Sequence, residues 1–142
     1  MSDRCYIQAN LRKKDAVLWE QALGDKLSTF SKTESKEDKG VWSIFDGEAD
    51  YAWQEELNNI AAAGGVFTGF HAQGDNYPAE EFAGVNGRVC YWEVANDGEH
   101  LVPINRNSTV SPERLRAHRK YMQYFRQAVK QIEEKKHGVP TH

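Results

Sequence analysis

With 142 residues, 39% apolar and 27% charged side chains, and four Trp, six Tyr and six Phe, residues 1–142 read as one ordered domain with a sizeable core, which excludes wholesale disorder. No apolar run approaches the roughly 20 residues of a membrane helix, and the opening "MSDRCYIQANLRKK" has no signal-peptide core, so a cytoplasmic protein without membrane contact is expected. The net charge of −3 and the pI of about 6.0 lack the basic footprint of a dedicated nucleic-acid binder, so direct nucleic-acid binding is not expected.

In chain order, "CYIQANL" alternates Cys5, Ile7, Ala9 and Leu11 with Tyr6, Gln8 and Asn10, the period of a half-buried strand. "KKDAVLWEQALG" sets Ala16, Trp19, Ala22 and Leu23 at helical spacing and stops at Gly24. Residues 25–40, rich in Ser and Lys with only Leu27 and Phe30 as large apolar residues, are expected to form a mobile loop. "VWSIF" resumes as a short strand, and "GEADYAWQEELNNIAAAGG" follows as a helix with Trp53, Leu57, Ile60 and Ala61 on one side. "VFTGFHA" and "RVCYWEV" are the next strands, Asn96-Asp97-Gly98 is a hairpin turn, and Pro103 marks "HLVPIN" as an edge strand.

The last helix begins at Ser111 as N-cap and Pro112 as first residue, with Leu115, His118, Met122, Phe125, Val129 and Ile132 as its apolar stripe. This order of elements predicts an α+β domain: a mostly antiparallel sheet of about five strands, helices packed on one face, and a long C-terminal helix. The two cysteines, Cys5 and Cys90, both fall in strand-like runs and read as buried, reduced thiols; a bridge between them would require adjacent strands. A two-fold dimer through the Pro103 strand or the last helix is compatible with this layout.

The segment "FHAQGDNYPAEE", residues 70–81, concentrates the polar chemistry. Read structurally, His71 ends a strand, Gly74-Asp75-Asn76 is a turn, and Pro78 opens a short helix through Phe82 that stops at Gly84, with Glu80 and Glu81 in its first turn. Read functionally, His71, Asp75, Tyr77 and Glu81 form a ligand site or the acid-base pair of a small hydrolase. The spacing matches no stringent metal template, so no metal or cofactor is expected. There is no P-loop, dinucleotide fingerprint or serine elbow, and a thiol in an apolar strand is a poor nucleophile. These absences weigh against an enzyme, and no catalytic residue is assigned.

Charge is distributed unevenly. Residues 41–100 carry 11 acidic side chains and one basic one, Arg88, whereas residues 101–142 carry 9 basic and 3 acidic. The two blocks could face and cancel one another. Alternatively the last helix could turn Arg114, Arg116, Arg119, Lys120, Arg126 and Lys130 outward, interleaved with Tyr121 and Tyr124, toward phosphates and bases. If instead the acidic block is exposed, Asp46, Glu48, Asp50, Glu55, Glu56, Asp75, Glu80 and Glu81 would present a negative field suited to a protein with a basic surface. Tyr51, Trp53 and Tyr77 would then supply aromatic anchors.

The stretch "GGVFTGFHAQGDNYPAEEFAGVNGRVCYWEV", followed by a hairpin and a basic helix, resembles in layout the small accessory proteins encoded by phages, prophages and plasmids, some of which block host defence systems; the likeness spans residues 64–132. The resemblance implies a non-enzymatic, partner-binding role; together with the acidic block, the expected action is to bind and occlude a partner's basic surface. It transfers no functional residue.

Overall fold

The structure is a computed structural model, and the residues it describes are 5–34, 42–49, 53–72, 79–93 and 112–134. Asp50, Tyr51, Asp75, Tyr77, the Asn96–Gly98 turn, the Pro103 strand and Ser111 lie outside them.

Strand β1 (Cys5–Arg12) leads through a 3-10 turn (Lys13–Asp15) into helix α1 (Ala16–Leu23). A second 3-10 segment (Gly24–Thr29) delivers the chain to β2 (Phe30–Glu34), followed by β3 (Trp42–Ala49), α2 (Gln54–Ala62), β4 (Phe67–His71), β5 (Glu80–Val85), β6 (Arg88–Glu93) and α3 (Pro112–Glu134). The strands form a six-stranded sheet in the order β2-β3-β1-β4-β5-β6, with every described pairing antiparallel.

The α+β architecture, the antiparallel sheet and the long C-terminal helix agree with the sequence pattern. The helices, expected on one face of about five strands, instead cover both sides of six, because β5 carries apolar residues on each of its faces. Ile7, Ala9, Leu11, Phe67 and Phe82 pack with Trp19 and Leu23 of α1 and with Leu57, Ile60 and Ala61 of α2. The long helix lies on the opposite face, where Tyr121, Ala128 and Ile132 meet Ala83, Val85 and Trp92. Successive residues of a strand point to opposite faces, so Phe82 and Ala83 belong to different cores. Trp19 and Trp53 are each 1% exposed; a large side chain fully removed from water contributes roughly 3 kcal/mol.

Two of the expected elements are different in the structure. Within the segment expected as a loop, residues 30–34 form β2, because Phe30 packs edge-to-face on Trp53 at 5.2 Å and the strand pairs with β3. Residues 80–85, whose first half was expected to be a short helix, form β5, and Gly84 lies inside the strand. The Asn86-Gly87 turn that follows has φ of 56° and 82°, the positive pair that a two-residue hairpin needs.

Large and small residues face each other across β4 and β5. Phe67 is opposite Gly84 and Phe82 opposite Gly69. A Cβ at Gly69 would come within 2.5 Å of the Phe82 ring, and one at Gly84 would collide with the Phe67 ring. The two glycines thus leave room for the two rings on the α1/α2 side.

A buried polar clamp ties the start of the chain to the α2–β4 connection. Asp15, 4% exposed, accepts hydrogen bonds from Arg12 Nε at 2.7 Å, Arg12 Nη2 at 3.2 Å and the Val66 backbone N–H at 2.9 Å. Arg12 Nη2 also donates to the Gly64 carbonyl at 2.9 Å.

Candidate functional site

β5 brings two adjacent glutamates to the sheet and sends them in opposite directions. In register, Glu80 stands opposite His71, and Glu81 opposite Phe70. On the α1/α2 side, His71 Nε2 is 2.9 Å from Glu80 Oε1, and its Nδ1 is 3.3 Å from the Ala72 carbonyl oxygen. His71 is 1% exposed and lies nearly parallel to the Phe82 ring. A general base must reach a substrate proton; a ring enclosed in this way, with an oxygen at each nitrogen, reaches none.

On the α3 side, Glu81 is half-buried and accepts a hydrogen bond from the Tyr121 hydroxyl at 3.1 Å. Burial pushes the Tyr121 hydroxyl well above its ordinary range, and the Glu81 charge and hydrogen bond raise it further. Tyr121 therefore stays a neutral donor that holds the carboxylate in place.

Glu81 lines a groove of about 290 Å³ between β1, β4, β5 and the middle of α3. Gln8, Asn10 and Thr68 supply amide and hydroxyl groups, and Phe70, Met122 and Phe125 supply apolar walls. The groove exists because the polar positions of the alternating strand β1 fall on the side that α3 crosses. The register sets the Asp46 backbone opposite Gln8, so the acidic strand β3 runs beside the groove.

The residues expected to act together are thus separated. His71 and Glu81, expected in one ligand site, belong to opposite faces of the sheet. Glu80 is committed to His71, and Glu56 to an ion pair with Lys26. Trp53 belongs to the core, with the Lys26 ammonium 5.9 Å from its ring centre, so it is no exposed anchor. Glu55 is exposed in the first turn of α2. Asp46 and Glu48 lie in β3, between β2 and β1 in the sheet. Sequence reasoning missed Gln8, Asn10, Thr68, Phe70 and Tyr121; the alternation in "CYIQANL" separates Gln8 and Asn10 from the core but does not indicate what lies over them.

Arg116, Arg119, Lys120, Arg126 and Lys130 are exposed on α3 and lie opposite its buried line of Tyr121, Ala128 and Ile132. Tyr121, expected among the outward aromatics, is buried. Arg114 is half-buried and stacks on Trp92, its Cζ 4.4 Å from the ring centre. Cys5 and Cys90 lie on strands separated by β4 and β5, a gap of about 14 Å at the usual strand spacing that no disulfide spans. Burial pushes the Cys90 thiol upward, against an opposing effect from Lys120.

Among the described residues, no three His, Cys, Asp or Glu are grouped to hold a metal ion. No described helix is long and apolar enough to cross a membrane. Comparison with protein-family profiles, curated proteins and solved structures finds no match to this chain.

Proposed function

We propose that this chain is a non-enzymatic binding protein that covers a basic surface of a protein partner with its acidic side and occludes it. The observation that carries the reading is the excess of 11 acidic residues over one basic residue in 41–100, the segment that supplies β3, α2 and the carboxylate of the groove. Contact falls to Asp46, Glu48, Asp50 and Glu55, and to Asp75 with Tyr51 and Tyr77; Glu81, held by Tyr121 on the sheet face opposite α2, contributes to the field. Glu56 and Glu80, already paired within the fold, contribute to the field. A negative surface of this kind accelerates association with a cationic partner and selects against acidic ones. The same action suits an inhibitor carried by a phage or mobile element against a host defence protein.

The test is capture of partners from a host lysate at low and moderate salt, with Asp50→Lys/Glu55→Lys as the control. The expected result is a salt-sensitive partner that the control loses. A partner retained at full strength by the control would refute the reading.

The α3 ridge favours a second reading, contact with nucleic-acid phosphates. From Arg116 to Lys130 the cations extend for about 21 Å along the helix at 1.5 Å per residue. Such binding would fall steeply with salt, and the absence of any gel shift at low salt would dispose of it.

A further inference from the structure

We propose that the exposed face of α3 binds double-stranded nucleic acid through the phosphate backbone, without reading or stacking on its bases; this deepens, and rests on, the second reading above. From Arg114 to Ile132 the helix contains no acidic residue, and Arg116, Arg119, Lys120, Arg126 and Lys130 are all exposed. At about 100° per residue, these cations fall within an arc of about 120°. The arc is centred nearly opposite the buried Tyr121, Ala128 and Ile132. Gln123, also exposed, lies near its middle and adds a neutral donor. Among the described residues, none of these five cations is held in an ion pair. Arg116 and Lys120, and likewise Arg126 and Lys130, stand one turn apart, where like charges repel and weaken the helix. A polyanion laid along the ridge relieves that repulsion.

The face is poorly suited to the other partners of a cationic surface. Protein interfaces draw on aromatic and apolar anchors, and a helix lying in a membrane surface inserts an apolar face. Among the described residues the exposed large apolar side chains are Tyr6, Val17 and Leu115, none of them between Arg116 and Lys130, and the apolar side of α3 faces the sheet. Phosphate contacts work without such anchors, because binding is driven by release of the counterions condensed on the nucleic acid. The same feature separates duplex from single strand. Single strands are held by stacking bases on exposed aromatic rings, whereas Tyr121 is buried and Tyr124 and Phe125 are half-buried against the core. In a duplex the bases are already stacked on one another. The three arginines present planar forks that match phosphate oxygens. The ridge extends for about 21 Å at 1.5 Å per residue, beside roughly 12 phosphates at one per 1.7 Å of duplex axis, enough to engage every cation.

The experiment is fluorescence anisotropy of labelled duplex DNA, duplex RNA and the single strands of the same sequence, titrated with the full chain across a salt series. The expected result is tighter binding of duplex than of single strands. For duplex DNA the log–log salt slope should be near −4.5, or about −0.9 for each of five phosphates, a loss of about 500-fold between roughly 50 and 200 mM salt. The DNA and RNA arms identify which duplex this backbone chemistry serves, and duplexes of unrelated sequence should bind equally. Arg126→Gln is expected to reduce the slope by about 0.9 and Arg119→Gln/Arg126→Gln by about 1.8, both at exposed positions. Lys14→Gln, in the 3-10 turn before α1, makes the same change in net charge as Arg126→Gln and should leave the slope unchanged. Single strands bound as tightly as the duplex would refute the duplex assignment while leaving the phosphate reading in place; no binding of any of them at low salt refutes both. A slope unmoved by the ridge variants, or moved equally by Lys14→Gln, would overturn the inference, as would strong preference for one duplex sequence. Tighter binding to phosphatidylserine vesicles or to polyglutamate would overturn the assignment to nucleic acid.

Discussion

Replacing Asp15 with alanine removes one short side chain and is expected to destabilise the whole domain. The carboxylate satisfies the Val66 N–H, and a buried donor left without a partner costs about 1–3 kcal/mol. It also pairs with Arg12, whose side chain is 15% exposed against 6% for Asp15; breaking a buried ion pair by removing one member costs about 3–5 kcal/mol. Arg12 keeps its bond to the Gly64 carbonyl, so the lower end applies, and the expected loss is ~3 kcal/mol, or about 9 °C in Tm for a domain near this size. Urea unfolding followed by the fluorescence of the buried Trp19 and Trp53 measures it. The companion variants are Arg12→Ala and the double mutant, for which the two losses should fall short of additivity by about 1–2 kcal/mol. A loss below about 1 kcal/mol for Asp15→Ala, or strict additivity in the cycle, would show that the clamp is not formed in solution.

Gly84→Ala is expected to cost about 1–3 kcal/mol by driving a methyl group into the Phe67 ring. Phe67→Leu/Gly84→Ala should recover part of that loss relative to the two single variants, as thermal melts would show. Stability should also fall as pH rises past the ordinary tyrosine value of 10.0, since burial first and a nearby glutamate second raise both Tyr121 and Tyr91 in the folded state. Above that pH the unfolded chain loses protons that the folded chain keeps, so the stabilisation is complete below the unfolded value and disappears as pH climbs toward the folded one. Tyr121→Phe should flatten the alkaline limb of a urea-midpoint against pH profile, and an unchanged slope would contradict the buried hydroxyl. Thiol titration should find both Cys5 and Cys90 free in denaturant under non-reducing conditions, with Cys90 alkylated markedly faster once the protein is unfolded.

Much of the fold is legible in the sequence because it rests on periodicity. β1, β4 and β6 lie where alternation or short apolar runs place them, and α1 and α2 fall within their expected segments. β5 escapes the pattern because both its faces are covered: Phe82 serves one core while Ala83 and Val85 serve the other, which erases the alternation. Pro78 and the paired glutamates then imitate a helix start. The Asn86-Gly87 dipeptide was the local signal for the hairpin. β2 escapes for the opposite reason, being a polar edge strand held by Phe30 alone among its apolar residues. The buried line of α3 differs slightly from the expected stripe, since Leu115 is 38% exposed while Tyr121 and Ala128 are buried; a phenol with a polar hydroxyl and a small alanine carry a weak apolar signal. The groove was not legible at all, because residues 8, 68, 81 and 121 meet only through tertiary packing.

The sheet order also bears on how the chain comes off the ribosome. β1 is synthesised before the other described strands, yet its neighbours are β3 and β4, and its pairing with β4 extends to His71. Until that residue has emerged, Ile7, Ala9 and Leu11 lack part of their cover and β1 has an open edge. Contacts this distant in sequence must wait for loop closure, and unpaired edges at that stage invite association between nascent chains. Arg12, Lys13 and Lys14, at the end of the strand, place charge where such pairing would begin.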